Sequence, residues 1–287
     1  MPRETLLPPV HPNAGLTSVF RKRLLKMVDA MHRSISYWIV AAYRADDPEA
    51  VEIDEEHDLE ALAMDAVTHY SKGVKLPANK LKKLIDELVA RWTKDFDEGA
   101  EALGEYFAKS VSQRTDAQLK AILKKAGFAI DFELTKAQKD ILAATVHEST
   151  SLIKSIPKKY LADVEGDVMR AVQTGMDVGG LQKQLQKSYG VTRKRASLIA
   201  RDQNSKATGS FTRARQLELG VKKARWMHSH AGKEPRPTHL ANDGKTYDVT
   251  KGWYDKHAYG KNKGAWIQPG ELINCRCTSR SVIPGFV

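Results

Sequence analysis

The first long pattern in this chain is helical. In "TSVFRKRLLKMVDAMHRSISYWIVAAYRA", Phe20, Leu24, Met27, Met31, Ile35, Trp38 and Ala42 recur at steps of three and four. That spacing places them on one face of a long helix starting near Thr17. A second stripe, Leu84, Leu88, Trp92, Phe96, Leu103, Phe107 and Val111, predicts a helix from a cap at Asn79 to about Ser112. Shorter helices are expected at 58–72, 115–126, 135–154, 158–174 and 178–188, with "SIPKKY" and "QTGMDVGG" as breaks. Another is expected over Thr192–Leu219, with Ala196, Ile199, Ala200, Ala207, Phe211 and Ala214 inward and Gly220 as its C-cap.

After Gly220 the texture changes. Helical periodicity stops, glycine and aromatics rise, and strand candidates fall at 222–228, 245–249 and 275–283. The fold class expected is therefore mainly α, with long helices in the N-terminal two-thirds followed by a small mixed α/β C-terminal module. Three regions follow. Residues 1–76 hold an extended arm with four prolines, a long helix and an acidic segment; 77–176 form a helical domain; 177–287 form the C-terminal module.

Composition narrows the class. The chain has 287 residues, 41% of them hydrophobic, enough to bury a core. No stretch approaches the roughly 18 uninterrupted apolar residues of a membrane span. Prolines in "MPRETLLPPVHPNAG" interrupt what a secretion signal would need as its apolar core. Two cysteines suit a reducing compartment, so synthesis in a cytoplasm is expected.

Charge changes the picture more. The net charge is +11, but residues 181–287 hold 21 Lys and Arg against 7 Asp and Glu, or +14. The first 180 residues carry the remaining 25 and 28, or −3. Such asymmetry points to a polyanionic partner for the basic part. By contrast, "DDPEAVEIDEEHDLE" places nine acids between Asp46 and Glu60. That run is read as a solvated loop, the other reading being a dock for a basic partner.

Candidate chemistry centres on "GELINCRCTSRSVIPG". If this stretch is a strand, Cys275 and Cys277 share a face about 6.5 Å apart. A disulfide needs Cβ atoms about 3.5–4.5 Å apart and would distort it. Two thiolates on one face can instead share a metal, and "WMHSHAGKEPRPTHL" supplies His228, His230 and His239 as partners. The plainer reading is two small buried side chains with His239 hydrogen-bonded nearby. A catalytic Cys–His pair fits the residue types, but no orienting group, phosphate loop or paired-carboxylate motif accompanies it. The chain is therefore not expected to be an enzyme.

The residues "LIARDQNSKATGSFTRARQLELGV", Trp226, "PRPTHLANDGKTYD" and "PGELINCRC" together resemble the Mu F-like minor head protein family of tailed bacteriophages. The order Arg236, His239, Asp243–Gly244, Pro269–Gly270 and Asn274–Cys277 is the specific part, and it covers about residues 177–287. "LLPPVHPNAGLTSVFRKRL" is similar to the start of Mu-type members. Many relatives carry CPxC where this chain has "RPTHLAND", so His239 stands in place of a cysteine.

The resemblance implies a minor capsid protein near the portal vertex, acting in head morphogenesis, DNA packaging or ejection. Portal protein, major capsid protein and genomic double-stranded DNA are the partners it implies, in a virion assembled from protein made in host cytoplasm. DNA contacts are expected at Arg193, Lys194, Arg195, Arg213 and Arg215. Docking on portal or capsid is expected at Phe20, Leu24, Met31, Trp38, Trp92 and Phe96. No certain cofactor is implied; zinc on His239, Cys275 and Cys277 is the candidate, with a metal-free Cys–His clasp as its rival. Two functions of other classes compete. One is a nuclease or toxin-like effector, for which His239 and Asp243 form the close His–acid pair. The other is a zinc-stabilised nucleic-acid-binding module without a virion role.

Overall fold

The computed structural model describes residues 4–44, 78–231, 234–261 and 263–283. The acidic run Asp46–Glu60, the helix expected over 58–72 and the region boundary at 76/77 lie outside them. Four long helices dominate: α1 (Ala14–Arg44), α2 (Ala78–Lys125), α3 (Lys136–Thr174) and α4 (Val178–Glu218). A short α5 (Pro237–Ala241) and six strands complete the described elements: β1 (Thr5–Leu6), β2 (Lys223–Met227), β3 (Thr246–Asp248), β4 (Trp253–Asp255), β5 (Ala265–Ile267) and β6 (Thr278–Ile283). The mainly α architecture with a small sheet-containing end is as expected.

Several breaks vanish. Helix α1 starts three residues before Thr17, because Asn13 caps it: the Leu16 amide N–H donates to Asn13 Oδ1 at 3.0 Å. Asn79, expected as the cap of α2, already lies inside that helix. Helix α2 runs past Ser112 because the stripe of Phe107 and Val111 continues through Thr115, Leu119 and Leu123, all buried. Threonine hid that continuity. Pro157 lies within α3, although a mid-helix proline costs roughly 3 kcal/mol. Buried Ile153, Ile156, Tyr160 and Leu161 flank it and hold the helix together. Gly190 sits inside α4, whose stripe passes through buried Thr192, so 178–188 and 192–219 are one helix. Gly220 does end α4. Its φ is 72°, its amide N–H donates to Leu217 O, and that of Val221 donates to Gln216 O at 2.8 Å.

Two compact units divide the chain, and their boundaries fall inside the long helices. The first takes residues 1–20, 103–149 and 198–287; the second takes 21–102 and 150–197. In the second, Leu24, Val28, Met31, Ile35 and Ile39 of α1 are buried, as are Leu88, Trp92 and Phe96 of α2 and Tyr160, Val164 and Val168 of α3. Trp92 Nε1 donates to Ser34 Oγ at 3.2 Å. Within the first unit, Phe20 stacks on Phe107 with ring centroids 4.2 Å apart. Phe20, Leu24, Met31, Trp92 and Phe96 are therefore internal core, which corrects their expected role in portal or capsid docking. A side chain sealed inside its own fold has no face for a partner. Trp38 is half-buried, edge-on to Tyr37.

The first unit also holds the sheet, in strand order β1-β6-β2-β3 with antiparallel neighbours, and a separate β4–β5 hairpin. The N-terminal arm was expected to be only extended. Here Thr5 pairs with Ile283 and Leu6 with Val282, and Arg280 Nε donates to Leu7 O at 3.0 Å. Leu7 and Val10 then bury against Leu119 and Leu123. Strand β6 starts at Thr278, so Cys275 and Cys277 precede the strand in which they were expected.

One polar cluster in the second unit generates a prediction. His32 Nδ1 lies 2.6 Å from Tyr160 Oη, and its ring stacks on Tyr189 at 3.9 Å. Burial lowers the His32 pKa from 6.5 to about 4, opposed by the Gln186 hydrogen bond and by Asp29. The folded state holds this ring neutral, whereas the unfolded chain takes up a proton below the ordinary histidine value. Stability from this group is thus complete above pH 6.5 and is lost as pH falls toward about 4. Replacing His32 by Gln should flatten this part of the acid limb. Urea melts of both proteins at a series of pH values check it, and parallel acid limbs would refute it.

Candidate Cys–His site

The site is assembled on α4. The small residues of "NSKATGS" let a turn press against the helix: a Cβ at Gly209 would lie 2.7 Å from Pro269 O, and one at Gly270 3.0 Å from Ser205 O. Glycine at 270 also accommodates a φ of 88°. One helical turn earlier, Asp202 Oδ1 accepts the Asn274 amide N–H at 2.5 Å, while Arg201 Nη2 donates to Asn274 Oδ1 at 2.8 Å. Asn274 stands at φ 61°, a left-handed conformation that asparagine tolerates. Those contacts aim the following Cys275 and Cys277 inward, both buried, while Arg276 between them faces out to Ala231 O.

His239 arrives from the other side. Pro237 opens α5 at its first position, and Arg236 Nη2 ties the segment to Ile273 O at 2.9 Å. The turn after the helix closes through Gly244, at φ 74°, whose amide N–H donates to Trp226 O at 2.8 Å. His239 Nδ1 then lies 3.4 Å from Cys275 Sγ and 3.6 Å from Cys277 Sγ. The three donor atoms fall within 4.8 Å of one another. Behind the ring, Nε2 is 3.8 Å from Asp255 Oδ2 and has no hydrogen-bond partner among the described residues. Asp255 is itself buried and held by Thr238 Oγ1 and the His257 amide N–H. Trp226, fully buried, packs edge-on to His239 at 5.2 Å and walls the site.

The two thiols are not independent of each other or of His239. Hydrogen bonding from Cys277 and then from His239 draws the Cys275 thiol below its ordinary range, against burial. Cys277, bonded to Cys275 and buried, is pushed above it. Such a pair shares protons and can present a thiolate to a metal or an electrophile.

Of the other two histidines that could have joined the cysteines, His230 pairs with Asp243, Nε2 to Oδ2 at 2.8 Å. That corrects the expected His239–Asp243 pair: His239 faces Asp255 instead. Asp243 also accepts the His228 amide N–H, and these two bonds hold its carboxyl below the usual range. Sequence reasoning missed Asp255, because nothing marks one acid in "GWYDKHAYG". It also missed Asp202, although "ARDQN" was among the resembling residues.

The residues expected to hold DNA are mostly occupied. Arg193 bonds Asp29 and Tyr189, and Arg195 bonds Ser155 at 2.8 Å. Arg213 donates to Val249 O and Thr250 O. Arg215 is 2% exposed, paired with Asp116 at 2.7 Å and Glu218 at 2.8 Å, and it lies 4.5 Å over Phe132. An enclosed guanidinium cannot reach a phosphate, so Arg215 is corrected from DNA contact to internal ion network. Lys194 alone of the five is exposed.

Residues 162–280 match the model of the family described as Phage Mu protein F like protein. Over this segment the chain is similar to the Mu F-like family. The match takes in the site, from the Arg201–Asp202 hook to Cys277. A curated relative, an uncharacterized protein of Haemophilus influenzae, is 35% identical over 132 residues, 46% of this chain and 27% of that protein. The chain thus aligns with about a quarter of that relative's length. No solved structure matches.

Two glycines of α4 test how the Mu F-like segment is assembled. Gly209→Ala drives a methyl into Pro269 O and should cost about 1–3 kcal/mol. Gly190→Ala meets nothing within 4 Å among the described residues and should add about 0.5–1 kcal/mol to the same helix. Denaturant melts giving the two variants the same sign would contradict the close approach.

Proposed function

We propose that this Mu F-like protein is a minor head protein of a tailed bacteriophage that works at the portal vertex in head morphogenesis, DNA packaging or ejection. The family suggests phage head morphogenesis, and one observation carries the finer reading. The matched segment nearly coincides with the part of the chain whose charge is +14. A basic module beside a packaged polyanion fits that coincidence, with portal and capsid proteins as the remaining neighbours.

Which cations meet DNA follows from which are uncommitted. Lys256, Lys261 and Lys263 are exposed around the β4–β5 hairpin. On the same hairpin Tyr254 and Trp266 are 53% and 57% exposed, with ring centroids 5.7 Å apart. Phosphates attract the lysines without regard to sequence, and exposed rings add apolar contact. We assign the duplex contact to this hairpin in place of Arg213 and Arg215.

The full chain should bind duplex DNA weakly and without sequence preference, more weakly as salt rises. Changing Lys256, Lys261 and Lys263 together to Gln should reduce the salt slope by about three. Fluorescence anisotropy across a salt series reads both effects. Unchanged binding by the triple variant moves the contact elsewhere, and absence of binding at low salt removes DNA from the reading. Antibody to the chain should also detect it in purified heads; heads lacking it would sink the virion role.

A further inference from the structure

We propose that His239, Cys275 and Cys277 are three ligands of one zinc ion, bound through Nδ1 and two Sγ atoms, with the fourth position open to the adjoining cleft. The distances set the argument. Zinc bonds sulfur at about 2.3 Å and imidazole nitrogen at about 2.0–2.1 Å, so a tetrahedral ion separates such ligands by about 3.5–3.6 Å. Nδ1 lies 3.4 Å from one sulfur and 3.6 Å from the other. A single imidazole lone pair accepts one S–H along its axis. Two sulfurs placed nearly equally around it suit a cation at their common centre better than a hydrogen bond to either.

The surroundings agree independently. With Nδ1 as ligand, the ring proton belongs on Nε2, which has no hydrogen-bond partner among the described residues and lies 3.8 Å from Asp255 Oδ2, a short movement from a bond. A buried carboxylate behind a ligating imidazole is the usual outer partner of protein zinc, and it fixes the tautomer and the ring. Asp255 is buried and anchored by two hydrogen bonds, so it is positioned for that work. Two thiol protons would leave to solvent on binding, and the two thiolates would balance the dication.

The fourth position follows from what else is near. A cleft of about 670 Å³ reaches all three ligands and is also lined by His228, Glu234, Arg236 and Arg276; Glu234 is exposed and is not among the residues whose donor atoms cluster with the three. His228 would complete a closed site, but its Nδ1 already accepts the His230 amide N–H at 3.1 Å. In the neutral ring that leaves an N–H, which is no ligand. The open position therefore takes water or an anionic donor, which the two arginines of the cleft favour.

Full-length protein purified without chelator should carry about one equivalent of zinc by elemental mass spectrometry. Cys275→Ser, Cys277→Ser and His239→Ala should each fall below roughly a tenth of that, and Asp255→Asn should bind about 10–100-fold more weakly. Cobalt titrated into wild-type protein should produce a thiolate-to-cobalt band and the visible bands of tetrahedral geometry, and added azide should shift the latter. This arm needs no variant to fold. Wild-type protein that holds no zinc and gives no thiolate-to-cobalt band overturns the site. Loss of metal in His228→Ala as complete as in Cys277→Ser, or visible bands indifferent to azide, overturns the open position.

Discussion

The backbone approach between α4 and the Pro269–Gly270 turn is the constraint from which the C-terminal module is built. With 2.7 Å between a would-be Cβ at Gly209 and Pro269 O, only glycine admits the turn at that point. Four residues beyond the turn, two α4 side chains hook Asn274, Asp202 at its backbone amide and Arg201 at its side-chain carbonyl. Helix and turn are thereby locked at two levels, and the chain between them cannot slide. Everything after Asn274 inherits that placement: Cys275 and Cys277 enter the core, and β6 begins where β2 can pair with it.

This explains which parts of the fold could be read in the residues. The long helices were legible because stripes such as Phe20 to Ala42 are periodic and apolar. Their true lengths were not, because Thr115 and Thr192 occupy stripe positions as polar residues and Pro157 suggests an end that packing overrides. Strand positions 223–227, 246–248 and 278–283 lay inside the stretches expected, since β-branched and aromatic residues cluster there. The β1 strand and the β4–β5 hairpin were hidden. Each is only two or three residues per strand, too short for an alternation to register.

The site was legible in its ligands and obscure in its supports. His239, Cys275 and Cys277 stand out by residue type, and the structure brings them together across 36 residues of sequence. Asp255 and Asp202 carry no such mark; an acid becomes a support only through what the tertiary fold places before it. Charge was misleading in the opposite sense. The count of +14 is real, yet Arg193, Arg195, Arg213 and Arg215 spend their donors on acids, hydroxyls and carbonyls of their own units. Net charge counts residues, whereas a partner can reach only the exposed ones, such as Lys222, Lys223, Lys256, Lys261 and Lys263.

A small module has a particular reason to hold its cysteines where they are. Its apolar cluster consists of Ala224, Trp226, Tyr247, Val249, Ile267 and Leu272 with Cys275 and Cys277 among them. Ordinary hydrophobic residues this few form a thin core, and two of the cluster's members are thiols beside an imidazole. The β6 strand gains support on one edge from the N-terminal arm through β1 and on the other from β2. Its root has neither neighbour, because Cys275 and Cys277 precede the strand. At that root the Cys–His contact joins β6 to α5, and the Asp202 hook joins the same turn to α4. Loss of either leaves β6 paired along its length but free at its start, which is where the cleft opens.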